Sequence, residues 1–138
     1  MLEISTDPAA VDLDWVHDRL STDAYWALGR SRERVERLVE NSLPYSVFRD
    51  GSQIAFARLV TDRTTFAWLA DVYVDRSQRG KGIGAFLLDR IMADVDDWGL
   101  RRMALATGDA HDLYRRYGFT PHPKPDLWME KNWPSNPA

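Results

Sequence analysis

Residues 71–88 read DVYVDRSQRGKGIGAFLL, an apolar strand that runs through a basic, glycine-rich turn into an amphipathic helix. Gly80, Gly82 and Gly84 let the backbone turn sharply and approach a ligand with no Cβ in the way. The first amides of a helix have no intrahelical partner, and such a helix start binds anions. The segment therefore predicts a phosphate site.

Positive charge is concentrated around this turn. Arg76, Arg79 and Lys81 lie within it, although the whole chain carries a formal net charge of -3. The basic cluster is therefore local and does not follow from the composition. Because the rest of the chain offers no basic face, we expect no nucleic-acid partner.

The spacing of the glycines distinguishes the turn from two other phosphate-binding loops. A Walker loop needs a glycine six residues before its lysine and a Ser or Thr after it, but those neighbours of Lys81 are Asp75 and Gly82. The dinucleotide fingerprint Gly-x-Gly-x-x-Gly lacks its third glycine, since that position is Leu87 in one count and Ala85 in the other. Alanine is tolerated there, so a dinucleotide-binding domain stays an alternative.

A second motif lies downstream of the first. Arg79, Gly82 and Gly84 match the pattern Arg/Gln-x-x-Gly-x-Gly/Ala, and residues 110–119 read AHDLYRRYGF, which matches Ala-x-x-x-Tyr-x-x-x-Gly-Phe. In this order, separated by one helix and one strand, the two motifs resemble the GNAT superfamily of N-acyltransferases. The resemblance covers residues 45–131. It implies an N-acetyltransferase that moves an acetyl group from acetyl-CoA to a primary amine by direct attack in a ternary complex.

The resemblance also implies where acetyl-CoA, the co-substrate, binds. In that fold the strand ending at Val74 and the strand from Arg102 splay apart, and the pantetheine arm enters the gap in the manner of a strand. The Val72 amide would then polarise the thioester carbonyl while Val74 pairs with the pantetheine. The implied cofactor-binding residues are Val72, Val74, Arg79, Gly80, Lys81, Gly82, Ile83, Gly84 and Ala85.

Acyl transfer to an amine needs a proton acceptor and a proton donor, because an alkylammonium has a pKa of about 10 and the leaving thiolate must be protonated. Tyr114 matches the general acid usual in the family; its alternative is a core tyrosine beside Leu113 and Tyr117. Asp71, on an apolar strand, is the candidate base with a pKa raised by burial. Its alternative is a carboxylate paired with an arginine. His111, which opens the last predicted helix, is a further candidate base.

The acceptor, a small-molecule or protein amine, stays open. Tyr25 and Trp26, in the connection between the first two predicted helices, line the acceptor pocket or belong to the core. The pocket is formed by loops, and the fold serves many substrates. The sequence therefore predicts the reaction class and leaves the acceptor unnamed.

The composition is that of one small enzyme domain. With 138 residues and 44% hydrophobic content, we expect a single domain over 1–138, of which 133–138 is a loose tail. The chain has no cysteine and its three histidines are scattered, so we expect no metal site. It shows no leader pattern and no long apolar segment, which favours a cytoplasmic protein without a membrane partner. The oligomeric state is open, with a homodimer as one alternative.

Hydrophobic periodicity and turn residues predict the order strand, two helices, three-strand meander, helix, strand, helix, strand. Ser31 and Asp109 are predicted helix caps, and Pro44 is predicted to mark the end of the second helix. This is the GNAT order and predicts an α/β (α+β) fold with a mixed, mostly antiparallel central sheet and helices on both faces. The predicted strands are 2–5, 45–49, 53–61, 65–74, 102–107 and 127–131, and the helices other than the second are 8–20, 83–95 and 110–117.

Two alternatives come from other functional classes. A non-catalytic acyl-CoA-binding or sensing module would keep the phosphate site and lose the chemistry. Thr107 lies in a stretch where many family members have an asparagine, which leaves room for this alternative. A dinucleotide-binding domain would begin with a βαβ unit and would need a longer chain. Cofactor binding without activity would favour the first alternative, and a preference for NAD over CoA the second.

Overall fold

The computed structural model describes residues 1–138. Backbone contacts group them into two compact units, 1–105 together with Ala138, and 106–137. The two units are described in turn, and a single domain over 1–138 stays a prediction. No helix combines the length and the apolar character that crossing a bilayer requires.

The first unit contains one five-stranded sheet whose strands lie side by side in chain order. The three pairs among the first four strands are antiparallel, and the pair of the fourth and fifth strands is parallel. The predicted mixed, mostly antiparallel sheet is therefore confirmed. The strands are β1 Leu2–Ser5, β2 Leu43–Arg49, β3 Ser52–Thr61, β4 Phe66–Val74 and β5 Arg102–Ala104.

Three helices cover the two faces of this sheet. On one face Phe56 and Tyr73 are buried in a cluster with apolar residues of the first two helices. On the other face the Tyr45 hydroxyl donates a hydrogen bond of 2.8 Å to Asp94 on the third helix. Helices on both faces are thus confirmed. The helices are α1 Leu13–Asp23, α2 Arg32–Glu40 and α3 Ile83–Trp98.

The first predicted helix is wrong in its extent. Instead of one helix from Pro8 to about Leu20, a short 3₁₀ helix at Pro8–Ala10 is followed by an extended residue, Val11. Asp12 then starts α1 by accepting a hydrogen bond from the Trp15 amide at 3.0 Å. Because Asp12 offers a second capping side chain, the chain can stop and restart here.

The second helix begins where it was predicted. The Ser31 hydroxyl accepts a hydrogen bond from the Arg34 amide at 3.2 Å and caps α2. The helix ends at Glu40, ahead of Pro44, which is the second residue of β2 and buried there. Gly99, with φ of +67°, ends α3 in the left-handed conformation.

The second unit, 106–137, holds one short helix, α4 His111–Arg115, and a 3₁₀ turn. Asp109 is not its cap, because the Thr107 hydroxyl accepts the hydrogen bond from the Ala110 amide at 3.1 Å. The strand predicted at 102–107 ends at Ala104 in the first unit.

The strand predicted at 127–131 is wrong. Trp128 has extended backbone angles, but no other strand pairs with this segment. The 3₁₀ turn Pro125–Leu127 takes up its first residue. A strand needs a partner for its backbone groups, and alternation in the sequence does not supply one.

Candidate active site

The glycine-rich turn is built from a short 3₁₀ helix and two left-handed glycines. Asp75 opens it by accepting a hydrogen bond of 3.2 Å from the Ser77 amide, at the start of the 3₁₀ helix Arg76–Gln78. Gly80 and Gly82 follow with φ of +76° and +80°. A residue with a Cβ would be strained there by about 1 to 2 kcal/mol. The glycines therefore fix the path that leads the chain into α3.

The residue at the start of α3 is a glycine. Gly82 is the N-cap residue and has no side chain to cap the helix. Gly84, the second residue of the helix, adds no side chain over this end. Lys81 beside it is exposed. A helix N-terminus next to a lysine suits a phosphate group.

Asp23, the last residue of α1, holds both arginines of the turn. Its carboxylate accepts hydrogen bonds from Arg76, from the Tyr73 hydroxyl and, at 3.1 Å, from Arg79. The bonds from Arg76 and then Tyr73 hold the pKa of Asp23 well below its usual range. Burial and the bond to Asp23 raise the pKa of Tyr73 to about 12. Both arginine side chains therefore have fixed positions beside the glycine turn.

Pairing between β4 and β5 stops early. The last paired residues are Trp68 and Ala104, and the pairing covers three positions. Residues 69–74 of β4 therefore have a strand neighbour, β3, on one side only. This opening lies in the part of β4 that leads into the glycine turn.

Two valines of β4 direct their amides into this opening. The Asp75 amide donates to the Ile54 carbonyl of β3 at 2.8 Å. Since successive residues of a strand face opposite sides, Val72 and Val74 direct their backbone N–H groups away from β3. The Val74 carbonyl already accepts a hydrogen bond of 3.0 Å from Arg79. The N–H groups of Val72 and Val74 therefore point the same way from the strand edge and can both donate to an extended ligand.

Asp71, the predicted base, lies at an irregular point of β4. It has a left-handed backbone, with φ of +53°, where the register between β3 and β4 shifts. Its buried carboxylate accepts three hydrogen bonds, from Trp26 Nε1 at 2.8 Å, Arg30 Nη1 at 2.9 Å and Arg58 Nε at 2.6 Å. A bulge of this kind re-aims a side chain, here towards the connection between α1 and α2.

The expected rise in the pKa of Asp71 is wrong. Burial by itself raises this pKa, but the charges of Arg30 and Arg58, with the hydrogen bonds from Arg58 and Trp26, outweigh it and lower the pKa below its ordinary value. The alternative of a carboxylate paired with an arginine is the correct one. At neutral pH the Asp71 carboxyl group is ionised, and its three hydrogen bonds are made to side chains of the protein itself.

Arg30 and Arg58 were missed by reasoning from the sequence. They lie 41 and 13 residues from Asp71 along the chain, and neither belongs to a local motif. The one available signal was a carboxylate in an apolar strand, which requires a counterion but does not say which of many arginines supplies it. Trp26, for which a core and a site position were both open, touches Asp71 and stays partly exposed.

The second motif forms a compact turn around Tyr114. Gly118, with φ of +91°, lies three residues beyond the end of α4, and the Phe119 amide donates to the Tyr114 carbonyl at 3.2 Å. This brings the Phe119 ring to 5.9 Å from the buried Tyr114 ring in an edge-to-face contact. The spacing Tyr-x-x-x-Gly-Phe thus corresponds to a turn after the helix, and this turn packs the phenylalanine ring against the tyrosine ring. His111, the other predicted proton acceptor, is exposed at the start of α4.

The chain is similar to known proteins in sequence and in structure. A solved structure from Xanthomonas campestris pv. campestris, assigned to the GNAT family of acetyltransferases, is 45% identical, with a TM-score of 0.92 over 97% of this chain and 94% of that one. A Gibberella zeae protein assigned as an acetyltransferase is 28% identical, over 80% of this chain and 74% of its own.

A third relative and a family model complete the comparison. Serotonin N-acetyltransferase 2 of Oryza sativa subsp. japonica is 34% identical over 68% of this chain and 50% of its own. The model of the acetyltransferase (GNAT) family matches residues 11–119. Since that match covers most of the chain and includes both glycine-containing motifs, the protein belongs to the GNAT family and is an acetyl-CoA-dependent acyltransferase.

Proposed function

We propose that this acyltransferase moves the acetyl group of acetyl-CoA to a primary amine by direct attack within a ternary complex. One observation carries the proposal. The glycine turn joins the start of α3, whose N-cap residue is Gly82, to a strand edge where Val72 and Val74 direct their amides away from β3. A phosphate site and an open strand edge in succession suit a ligand with a diphosphate and an amide-containing arm.

The residues around this edge hold acetyl-CoA, which supplies an activated thioester. The turn and the first amides of α3 bind its phosphates, and the lysine and arginine side chains add charge attraction. On β4, Val74 pairs with the pantetheine arm and the Val72 amide donates to the thioester oxygen. The binding residues are Val72, Val74, Arg79, Gly80, Lys81, Gly82, Ile83, Gly84 and Ala85.

Tyr114 acts as the general acid. The amine nitrogen forms a bond to the acetyl carbon while the carbon–sulfur bond breaks, and the Tyr114 hydroxyl gives its proton to the departing sulfur. The acceptor ammonium loses one proton to water before the attack. The nitrogen loses a second proton after the carbon–nitrogen bond has formed, and this proton passes through water to the tyrosinate and restores the Tyr114 hydroxyl. The motif that matches the family and the ring position fixed by Phe119 support this role.

Asp71 serves the reaction as a positioning residue. Its carboxylate oxygens accept hydrogen bonds from Trp26, Arg30 and Arg58, and its pKa is lowered. A raised pKa was the reason for proposing it as the base, and that reason no longer holds. We propose that it fixes these three side chains next to the thioester site. A water molecule takes the place of the base.

A primary amine is supported as acceptor by one relative. The plant protein that is 34% identical is named for N-acetylation of serotonin, which is a primary amine.

The cytoplasmic location and the homodimer stay predictions. Fractionation and the molar mass in solution test them.

A panel of amines incubated with acetyl-CoA tests the proposal. Release of free CoA thiol that depends on the amine, with the acetylated amine identified by mass, is the expected result. Tight acetyl-CoA binding without thiol release for any amine class, peptides included, would overturn it. That outcome would favour the alternative of an acyl-CoA-binding or sensing module.

A further inference from the structure

The cluster around Asp71 carries more positive than negative charge. Arg30 and Arg58 form salt bridges with Asp71, and neither forms one with any other carboxylate. Their side chains are 9% and 18% exposed, and that of Asp71 is 2% exposed. Two cations thus share one anion in a largely buried place. Such an excess charge is costly to bury unless another anion balances it.

The arginines have donors left for a ligand. Arg58 donates to Asp71 only through Nε and Arg30 only through Nη1. The other guanidinium nitrogens make no hydrogen bond within the protein. The only side-chain polar atom that is fully buried without a partner is the Ser46 hydroxyl, so these nitrogens are accessible to solvent. They can therefore donate to an anion that enters from outside.

The cluster lies next to the proposed site of chemistry. Asp71 precedes Val72 directly, and consecutive Cα atoms are about 3.8 Å apart. The arginines are thus bonded to the side chain of the residue that directly precedes the one proposed to hold the thioester. The left-handed backbone of Asp71, which costs of order 1 to 3 kcal/mol, is the kind of local strain that collects at functional sites.

Apolar surface borders the same place. Trp26 is 37% exposed, and its indole N–H donates a hydrogen bond to Asp71. Tyr25 packs edge-to-face on it, with the ring centroids 4.9 Å apart, and is itself exposed. The surface that Trp26 offers beside the arginines is therefore apolar.

We propose that Arg30 and Arg58 bind a carboxylate of the acceptor, so that the preferred substrate is a primary amine that carries both a carboxylate and an apolar group. The net charge of the cluster favours a carboxylate over a phosphate as the bound anion. Two arginines and one aspartate leave a charge of +1, which one carboxylate neutralises and a phosphate dianion exceeds. The inference rests on the proposed N-acetyltransferase function and names its substrate class.

Pairs of amines that differ only in a carboxylate test the inference. The pairs are phenylalanine with phenethylamine, tryptophan with tryptamine, and leucine with isopentylamine, each measured as kcat/KM with acetyl-CoA. We expect the carboxylate member to be preferred about tenfold or more in at least one pair, since hydrogen bonds between ions are the stronger ones. Preference for the member without a carboxylate in every pair, or for O-phosphoethanolamine over all amino acids, would overturn the inference.

Two arginine variants connect the preference to the cluster. Arg58→Gln should lower kcat/KM for the carboxylate member at least about tenfold more than for its partner, mainly through KM. Arg37→Gln, at an exposed residue of α2, is the matched control and should change neither. Equal losses for both members of a pair would mean that Arg58 only supports the fold. If the variant does not fold, the preference of the wild-type protein decides.

A binding measurement separates this inference from the proposed function. The Trp26 indole N–H signal, identified among six tryptophans by its loss in Trp26→Phe, reports directly on Asp71. With CoA present, phenylalanine should shift this signal in a saturable manner and phenethylamine should not. If no amine is acetylated but this shift occurs, the carboxylate site stands and the catalytic proposal fails. Absence of both the shift and the substrate preference overturns the carboxylate site.

Discussion

At the scale of single residues, two buried tyrosines have hydroxyl groups with different expected roles. The Tyr45 hydroxyl donates to Asp94 across the interface between the sheet and α3. Burial, together with that bond, raises the pKa of Tyr45. Tyr114 lies in the second unit, where its ring is fixed by Phe119. The first hydroxyl serves stability, and we assign the second to proton transfer.

Replacing each tyrosine by phenylalanine separates these roles. Tyr114→Phe keeps the ring but removes the proton donor, so kcat should fall about 10²- to 10⁴-fold, the usual contribution of a general acid. The dissociation constant of CoA and the melting temperature should change little. Tyr45→Phe, the control, should lower the melting temperature and leave kcat unchanged. Full turnover by Tyr114→Phe would contradict the assignment of Tyr114 as the general acid, and the departing sulfur would then take its proton from solvent.

At the scale of elements, local signals predicted the boundaries that depend on local contacts. Ser31 caps α2 with its own hydroxyl, and Gly99 ends α3 because it accepts positive φ. The helix predicted at 110–117 is shorter, since α4 ends at Arg115 with Arg116 as its C-cap residue. The first helix was predicted too long because Asp12 provides a further cap. The missing strand at 127–131 has a different cause, since a strand depends on a partner from elsewhere in the chain.

The turn before α3 gives a prediction at the same scale. Gly82 and Gly51 both have positive φ, at +80° and +86°, and at both an added Cβ would meet nothing within 4 Å. Gly82→Ala and Gly51→Ala should therefore lose similar stability, about 1 to 2 kcal/mol each. Only Gly82→Ala should also weaken CoA binding, because its Cβ and altered backbone lie at the phosphate site. Calorimetry showing equal CoA affinity in both variants would contradict the assignment of the turn.

At the scale of the whole molecule, Asp71 connects parts of the chain that lie far apart in sequence. Its carboxylate joins Trp26 and Arg30, from the connection between α1 and α2, to Arg58 on β3. The motifs at 71–88 and 110–119 predicted the family and the cofactor edge because their geometry is local. The Asp71 partners could not be predicted, because they meet only after the sheet has formed.

This cluster predicts a pH dependence of stability. The pKa of Asp71 is lowered in the folded protein relative to about 3.9 when unfolded, so its contribution is full above pH 4 and is lost as the pH falls through the folded value. Asp71→Asn leaves two arginines without their anion and should lose about 3 to 5 kcal/mol at pH 7. That difference should shrink as the pH falls from 4 towards 2.

Denaturant unfolding at several pH values measures this difference. Asp97→Asn, at an exposed residue of α3, is the control and should follow the wild-type protein at every pH. A gap between Asp71→Asn and wild type that stays constant from pH 7 to pH 2 would mean that the folded pKa of Asp71 is not lowered.

The early end of the pairing between β4 and β5 has a consequence for hydrogen exchange. Beyond Trp68, only every second amide of β4 is bonded to β3. Addition of CoA should therefore slow exchange at Val72 and Val74 and leave Tyr73, which faces β3, as it was. Slowing at all three consecutive residues would instead mean that the segment becomes ordered as a whole. An alternating pattern of protection would show that the ligand arm pairs with β4 as one more strand of the sheet.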